Sequence, residues 1–381
     1  MMTTKDNCPY NVFSMGTKGN IAVMYGGGQI PEANMLMGFI ISRLSNYNTV
    51  FGIHESYKGL GRSECYEEMT EEKASEIKTQ IGTYFSTCRE FNPATDENFP
   101  DILQQLKEHD IRLLIGCGGD GTARGAVALE KKLKEAGYNV QIIWVPCTID
   151  GITGTESIGV KSAVLKSASD VMNVAVNAWA TYDHGLNGPR VAVVELMGRN
   201  RDDILIKVMK FLQNCVKIGK YDISDVRIIP LPSANEWSSD KLLIDVTDEE
   251  RPVAILASEG AKPIEPIFEA IDEKGVGRKI TRLINATRVK KANCHVVGYL
   301  SQTNSENSKA ADKECSTWAY ALEDMLQGNV RFTEAQAFIY RDCCGDFVFV
   351  PLTEITEQNP YTKEPVPLSE EDKKFFEGFK I

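Results

Sequence analysis

This chain has no GxxxxGK[ST] loop, no apolar run approaching the length of a membrane span and no surplus of positive charge. The first absence removes the commonest phosphate-binding loop of nucleotide-binding proteins. The second excludes a membrane-spanning helix. The third is a balance of 42 Lys and Arg against 53 Asp and Glu, a net charge of −11. Such a field repels nucleic acid and anionic lipid, so neither is expected as a partner, and any bound phosphate must be served by local donors. No repeat of solenoid period and no low-complexity segment occurs. The first twenty residues are polar, without a basic-then-apolar leader pattern, so a cytoplasmic protein is expected. Ten cysteines are scattered among apolar segments, as at Cys117, Cys215 and Cys294, without a disulfide framework. Cys343 and Cys344 are adjacent, cannot easily bridge each other, and lack CxxC spacing; a reducing compartment fits this usage.

What is present is an ordinary globular composition, 43% apolar and 25% charged over 381 residues, long enough for two α/β domains with substantial cores. The chain is organised around Gly116-Cys117-Gly118-Gly119-Asp120-Gly121-Thr122. The apolar run Leu113-Leu114-Ile115 precedes it, and a helical pattern with Ala126, Leu129 and Leu133 on one face follows, closed by Gly137. That is strand, glycine loop, helix. Glycine lets backbone N–H groups approach an anion, and the helix directs its positive end at the same place, so a phosphate is expected there. Asp120 would repel a polyphosphate unless a divalent cation lay between them, which implies Mg²⁺. A second strand, Val140 to Val145, leads into Pro146-Cys147-Thr148-Ile149-Asp150-Gly151 at the carboxyl edge of the same parallel sheet. Asp150 is there placed to take a proton from an acceptor hydroxyl.

Ile21 to Tyr25 reads as a strand that runs into Gly26-Gly27-Gly28 and a helix carrying Met35, Ile40, Ile41 and Leu44, a second place where backbone donors meet phosphate. Residues 51 to 95 are less regular and include Arg89, which either reaches a cleft or is solvated. A helix over Asp101 to His109 follows. Residues 158 to 182 read as a long helix crossing into a second domain, whose strands are expected at Arg190 to Glu195, Val226 to Ile229, Val253 to Leu256 and Cys294 to Val297. Repeated alternation makes each part doubly wound. The expected fold is therefore α/β, two Rossmann-like three-layer αβα domains with a cleft between them. Residues 1–157 would form the nucleotide and Mg²⁺ domain and 158–300 the sugar domain. Residues 301–381, a helix, two short strands and a polar tail, would lie back on both.

Four motifs carry a resemblance to the phosphofructokinase family: Gly26-Gly27-Gly28 with Pro31 and Asn34; Gly118-Gly119-Asp120-Gly121; Pro146-x-Thr148-Ile149-Asp150; and Glu195-Leu196-Met197-Gly198-Arg199. They occur in the family's order over roughly residues 20 to 325. The resemblance implies ATP held by Gly27, Gly28, Gly118, Gly119, Gly121 and Thr122, with Mg²⁺ at Asp120. It implies transfer of the γ-phosphoryl group to a sugar hydroxyl deprotonated by Asp150, most simply fructose 6-phosphate to fructose 1,6-bisphosphate in glycolysis. Thr148 would hold the transferred group, Arg89 and Arg199 would stabilise its charge, and Met197, Gly198 and Glu259 would line the sugar. Arg190 matches a position that reaches a neighbouring subunit's site, so a homo-oligomer, dimer or tetramer, is expected.

Small residues at Gly121 and Cys147, where pyrophosphate-using members carry Asp and Lys, favour ATP over pyrophosphate. Gly151-Ile152 stands where the family has Asn-Asp, so a second carboxylate is missing unless Glu156 supplies it. Where the family grips the sugar's 6-phosphate with Arg, His and Arg, this chain has Asn293, Tyr299 and Gln302. Two lost charge-assisted contacts cost roughly 1.5–3 kcal/mol each. Either Lys290 and Lys291 substitute, or the acceptor is a different, even unphosphorylated, sugar. Gly38 and Ser42 replace effector-binding arginines of bacterial relatives. NAD and diacylglycerol kinases share Gly-Gly-Asp-Gly-Thr but lack the Met-Gly-Arg strand end. A dinucleotide reading of Gly116-x-Gly118-x-x-Gly121 is opposed by Asp120 in the loop. A non-catalytic binding protein of the same fold would have no use for Asp150.

Overall fold

Apolar runs that are uninterrupted in the sequence become parallel strands buried on both faces, as helices on each side of a sheet require. In the computed structural model Ile21–Tyr25 and Leu113–Ile115 are at most 2% exposed. Described here are residues 15–16, 19–30, 32–80, 82–152, 155–180, 190–198, 200–217, 226–298, 309–328, 332–341, 345–359 and 365–379. The chain divides into two compact units, 1–148, 152–159 and 305–361 in the first and 149–151, 160–304 and 362–381 in the second.

The first unit opens with β1 (Asn20–Tyr25), α1 (Ala33–Leu44), β2 (Val50–Ile53), α2 (Ser56–Gly59), β3 (Tyr66–Glu68), α3 (Glu71–Thr79), α4 (Phe99–Glu108), β4 (Ile111–Gly118), α5 (Asp120–Glu135) and β5 (Gln141–Pro146). The second unit contributes α6 (Val160–Ala180), β6 (Val191–Leu196), α7 (Asp203–Lys217), β7 (Arg227–Leu231), α8 (Ser239–Thr247), β8 (Val253–Ser258), α9 (Val276–Ala286) and β9 (Ala292–Val296). The chain then returns to the first unit with α10 (Lys309–Gln327), β10 (Gln336–Arg341), β11 (Asp346–Pro351) and α11 (Leu352–Gln358), and ends in the second with α12 (Glu370–Gly378).

The first sheet has the order β11-β10-β5-β4-β1-β2-β3, with parallel pairing at its centre and antiparallel strands at both edges. α1, α3 and α10 cover one face and α4, α5 and α11 the other, giving three layers. The second sheet, β7-β8-β6-β9, is parallel throughout. α6, α7 and the Phe375, Phe376 and Phe379 side chains of the C-terminal segment pack on one face, α8 and α9 on the other. Both units are thus Rossmann-like αβα layers.

Two departures from the sequence reading have local causes. The irregular 51 to 95 region holds β2, β3 and α3. Gly52 interrupts the apolar pattern of β2 because the Phe85 ring lies where its side chain would be. The polar C-terminal tail contains α12, capped by Ser369, whose hydroxyl accepts the Asp372 N–H. Two or three phenylalanines among charged residues are enough to dock such a segment. Among the described residues all seven cysteines are free thiols, and no helix is long and apolar enough to cross a membrane.

Candidate active site

β1, β4 and β5 are parallel neighbours, so the loops after them share one edge of the first sheet. Backbone bonds then tie the loops together. The Gly26 N–H donates to the Cys117 carbonyl at 2.8 Å, and the Cys147 N–H to the Gly118 carbonyl at 3.1 Å. Buried Thr122 fills the junction: a Cβ on Gly26 or Gly118 would overlap its Oγ1, and one on Gly118 would also lie 2.5 Å from the Gly26 carbonyl oxygen. These two glycines are packing requirements. Gly27 has a different reason, its φ of +85° in the region that side chains rarely adopt, with open space around it. Gly28 is half-buried on the same loop. Gly119 is the N-cap of α5 and offers no side-chain cap, and a Cβ there would sit 3.3 Å from Thr148. Gly121 opens onto empty space. The start of α5, with its unpaired N–H groups and positive dipole end, therefore meets two glycine-lined turns and the Thr148 turn, which is the requirement for seating an anion.

Asp120 is the first residue of α5, partly exposed, with Oδ2 accepting from Arg124 Nε at 2.8 Å one turn on. Arg124 also donates to the Thr356 and Asn359 carbonyls, tying the end of α11 to α5. Among the described residues no three His, Cys, Asp or Glu side chains gather into a metal cage. Mg²⁺ keeps most of its waters and takes one or two carboxylates together with phosphate oxygens. An accessible carboxylate at an anion-ready helix end is a fitting donor.

Thr148 is almost fully buried at 9% exposure. Its N–H donates to Ser157 Oγ at 3.0 Å and the Ser157 hydroxyl donates back to its carbonyl at 2.9 Å, a reciprocal clamp from nine residues away. The Ile158 N–H donates to the Pro146 carbonyl, extending the clamp. Tyr57, whose phenol burial drives up, donates to the Thr122 carbonyl at 2.6 Å and so braces the first turn of α5 from below. Cys147 is buried with its thiol toward Cys117, and burial followed by that neighbour raises its pKa. Its side chain therefore belongs to the core, and the open space at the loop is on the Gly121 side. Asn34 of the first motif is buried and accepts from the Tyr25 hydroxyl and the Tyr84 N–H while donating to the Gln80 carbonyl. It fixes the segment leading to Arg89, which is exposed. Gly38 is needed where α1 meets α3, since a Cβ would lie 2.6 Å from the Ala74 carbonyl oxygen. Ser42 donates to Glu71 at 2.8 Å. The α1 face at Gly38 and Ser42 is thus covered by α3.

In the second unit Met197, Gly198 and Glu259 come together at the carboxyl edge of β6 and β8, where the Glu259 N–H donates to the Leu196 carbonyl at 3.0 Å. Gly198 has φ +148° and its carbonyl accepts from the Arg201 N–H at 2.7 Å, a chain reversal into α7. The reversal is anchored by Asp202, which the sequence reading missed. Its buried carboxylate accepts from the Ser233 N–H at 2.7 Å, Ser233 Oγ at 3.0 Å, Ser258 Oγ at 2.5 Å and the Ala234 N–H at 3.0 Å, joining the ends of β6, β7 and β8. Glu195 of the fourth motif points into the protein, accepting the Gly277 N–H of α9 at 2.7 Å. Burial raises its pKa and the Gly277 bond opposes that shift. Exposed Asp150 belongs to this unit with Ile149 and Gly151, and Asp203 of α7 lies directly against Gly151.

Lys290 and Lys291 precede β9, and Arg190 precedes β6, at the amino edge of this parallel sheet. Strands of this length rise roughly 16 Å end to end, so the lysines do not join the Met197 and Glu259 cluster. Lys290 instead donates to the Glu249 carbonyl at 2.8 Å, and burial lowers its pKa. Within one copy of the chain the pair therefore stands apart from the residues expected to line the sugar. Asn293 is exposed on β9. Arg199, Tyr299, Gln302, Cys343 and Cys344 lie outside the described residues.

Comparison with known proteins matches this arrangement. An ATP-dependent 6-phosphofructokinase of Aliivibrio fischeri is 33% identical over 192 residues, covering 49% of this chain and 55% of the relative. The chain thus spans about half the length of such curated relatives. By structure it is similar to a pyrophosphate-dependent phosphofructokinase of Nitrosospira multiformis, with TM-score 0.72, 16% identity, 92% of this chain and 86% of that one. It is also similar to phosphofructokinase of Saccharomyces cerevisiae, with TM-score 0.71, 18% identity, 89% of this chain and 45% of that one. The family model for phosphofructokinase matches residues 20–317, which takes in all four glycine and acidic motifs and strands of both αβα units, and the chain belongs to the phosphofructokinase family.

Proposed function

We propose that this chain is a kinase that moves the γ-phosphoryl group of ATP to a hydroxyl of a sugar phosphate, with fructose 6-phosphate first among acceptors. The observation that carries this reading is the start of α5, where Asp120 and the N–H groups of a helix end stand at the joined loops of β1, β4 and β5. Gly27, Gly28, Gly118, Gly119, Gly121 and Thr122 form the cradle for the phosphates. Asp120 would hold Mg²⁺, which when bound neutralises charge on the phosphate oxygens. Thr148 orients the transferred group, Arg89 and Arg199 offset its charge, and Asp150 takes the proton of the acceptor hydroxyl. Met197, Gly198 and Glu259 form the sugar's surroundings. Arg190 serves the site of a second copy in a homo-oligomer. Phosphoryl transfer asks a protein for positioning and charge neutralisation, and these are the roles such side chains can fill.

Open space beside Gly121 supports a nucleoside triphosphate as donor. A second reading of the acceptor, a sugar without a phosphate, is favoured by Asn293, Tyr299 and Gln302, which stand where the family grips a phosphate with Arg, His and Arg. The test is product formation with ATP or pyrophosphate against fructose 6-phosphate, fructose and nucleosides. Turnover with ATP and fructose 6-phosphate is expected. Binding of ATP without turnover on any acceptor would instead mark a binding protein. Asp150→Ala should lower turnover by roughly 10²–10⁴-fold, the usual contribution of a general base, with ATP binding retained.

A further inference from the structure

The room that a side chain at position 151 would need is taken by a carboxylate. A Cβ on Gly151 would overlap Cγ, Oδ1 and Oδ2 of Asp203, so this carboxyl group rests on the backbone of the residue that follows Asp150. It is held there from three directions. Arg201 Nε donates to Asp203 Oδ2 at 2.9 Å. The reversal at Gly198 returns the chain to α7. Asp202, one residue before, is bound to the ends of β7 and β8. The Asp203 and Arg201 side chains keep 33% and 22% of their exposure, so the pair is open on one side. An exposed ion pair and a carboxylate in the first turn of a helix each add little to stability, and α7 is already anchored through Asp202.

We propose that Asp203 is a positioning residue for phosphoryl transfer, the second carboxylate beside the base. It bears on the Asp150–Gly151 backbone, and its carboxylate, partly offset by Arg201, adds negative charge beside Asp150, which favours proton uptake by that group. The proton leaves the acceptor hydroxyl for the Asp150 carboxylate as the oxygen bonds to the phosphoryl group and the bond to the departing diphosphate breaks. Asp203 forms no bond in this step. The arrangement also explains the glycine at 151: a carboxylate delivered from α7 and a side chain delivered from the loop exclude one another.

The inference rests on Asp150 as base, and the test separates the two. Asp203→Asn keeps the shape and an oxygen for Arg201 while removing the charge. It should lower kcat at least tenfold, with the KM for ATP within about twofold and the unfolding midpoint unchanged. The double variant Gly151→Asp with Asp203→Gly, which moves the carboxylate from the helix to the loop, should recover at least half of the kcat lost in Asp203→Gly. Asp203→Asn with kcat within twofold of the parent would overturn the proposal, as would a fall in kcat matched by a lowered midpoint. Asp150→Ala run alongside identifies which idea failed. Full turnover there sinks the base assignment, whereas an inactive Asp150→Ala beside an active Asp203→Asn sinks the role of Asp203 alone.

Discussion

Replacing Asp202 is the most direct trial of how the second unit positions its part of the site. The carboxylate is 4% exposed and accepts from two backbone N–H groups and two hydroxyls. In Asp202→Ala the hydroxyls of Ser233 and Ser258 can rotate toward other acceptors, but the N–H groups of Ser233 and Ala234 cannot. Each buried N–H left without an acceptor costs about 1–3 kcal/mol. Removing the desolvation cost of the carboxylate offsets part of the loss, so a net loss of about 2–4 kcal/mol is expected. For a unit of this size that is roughly 4–16 °C in melting temperature. Asp202→Asn keeps an oxygen for Ser233 and Ser258 and turns an NH₂ toward the Ala234 N–H, at about half the effect. Ser258→Ala removes one bond and should lose about 1 kcal/mol. Urea midpoints in the order Ser258→Ala, Asp202→Asn, Asp202→Ala, from least to most destabilised, are the expected result. An Asp202→Ala protein as stable as Ser258→Ala would refute the claim that this carboxylate fastens the strand ends.

Gly118→Ala should destabilise the first unit by about 2–3 kcal/mol and abolish ATP binding, because the added methyl meets the Gly26 carbonyl and Thr122. Gly121→Ala, with empty space around it, should leave stability unchanged or raise it by up to ~1 kcal/mol, since alanine suits a helix better; calorimetry on the pair checks both, and equal losses would show that space is not the deciding factor. Ser157→Ala removes the two hydrogen bonds that Ser157 makes with the Thr148 backbone and should lose about 2–4 kcal/mol, with a raised KM for the phosphoryl donor in steady-state kinetics. Glu195 has a raised pKa in the folded protein, mainly from burial. Its protonated form is the one the fold favours, so its contribution is fully present below the ordinary Glu value and is lost as pH rises through the folded value. Unfolding midpoints of the parent measured against Glu195→Gln should therefore fall from pH 4 upward and then level off, and a difference independent of pH would contradict this.

The sequence by itself determined the αβα class, the glycine turns and the family. These depend on short-range facts: uninterrupted apolar runs demand burial on two faces, and a glycine loop before a helix leaves donors that suit an anion. Residues that act across the fold were not legible in the same way. Ser157 on Thr148, Glu195 on the N–H of Gly277, Asn34 on Tyr84 and Asp203 on Gly151 are separated by 9 to 82 residues, and no local pattern signals such pairings, although the Asp-Asp step after the fourth motif was a visible oddity. Lys290 and Lys291 show the same limit from the other side. Their charge is plain in the sequence, but which end of a strand they occupy follows from the parallel register of β6 and β9, and in a parallel sheet the two ends of a strand face different edges. Local chemistry fixed what each segment could do, while strand pairing and crossovers decided which segments meet.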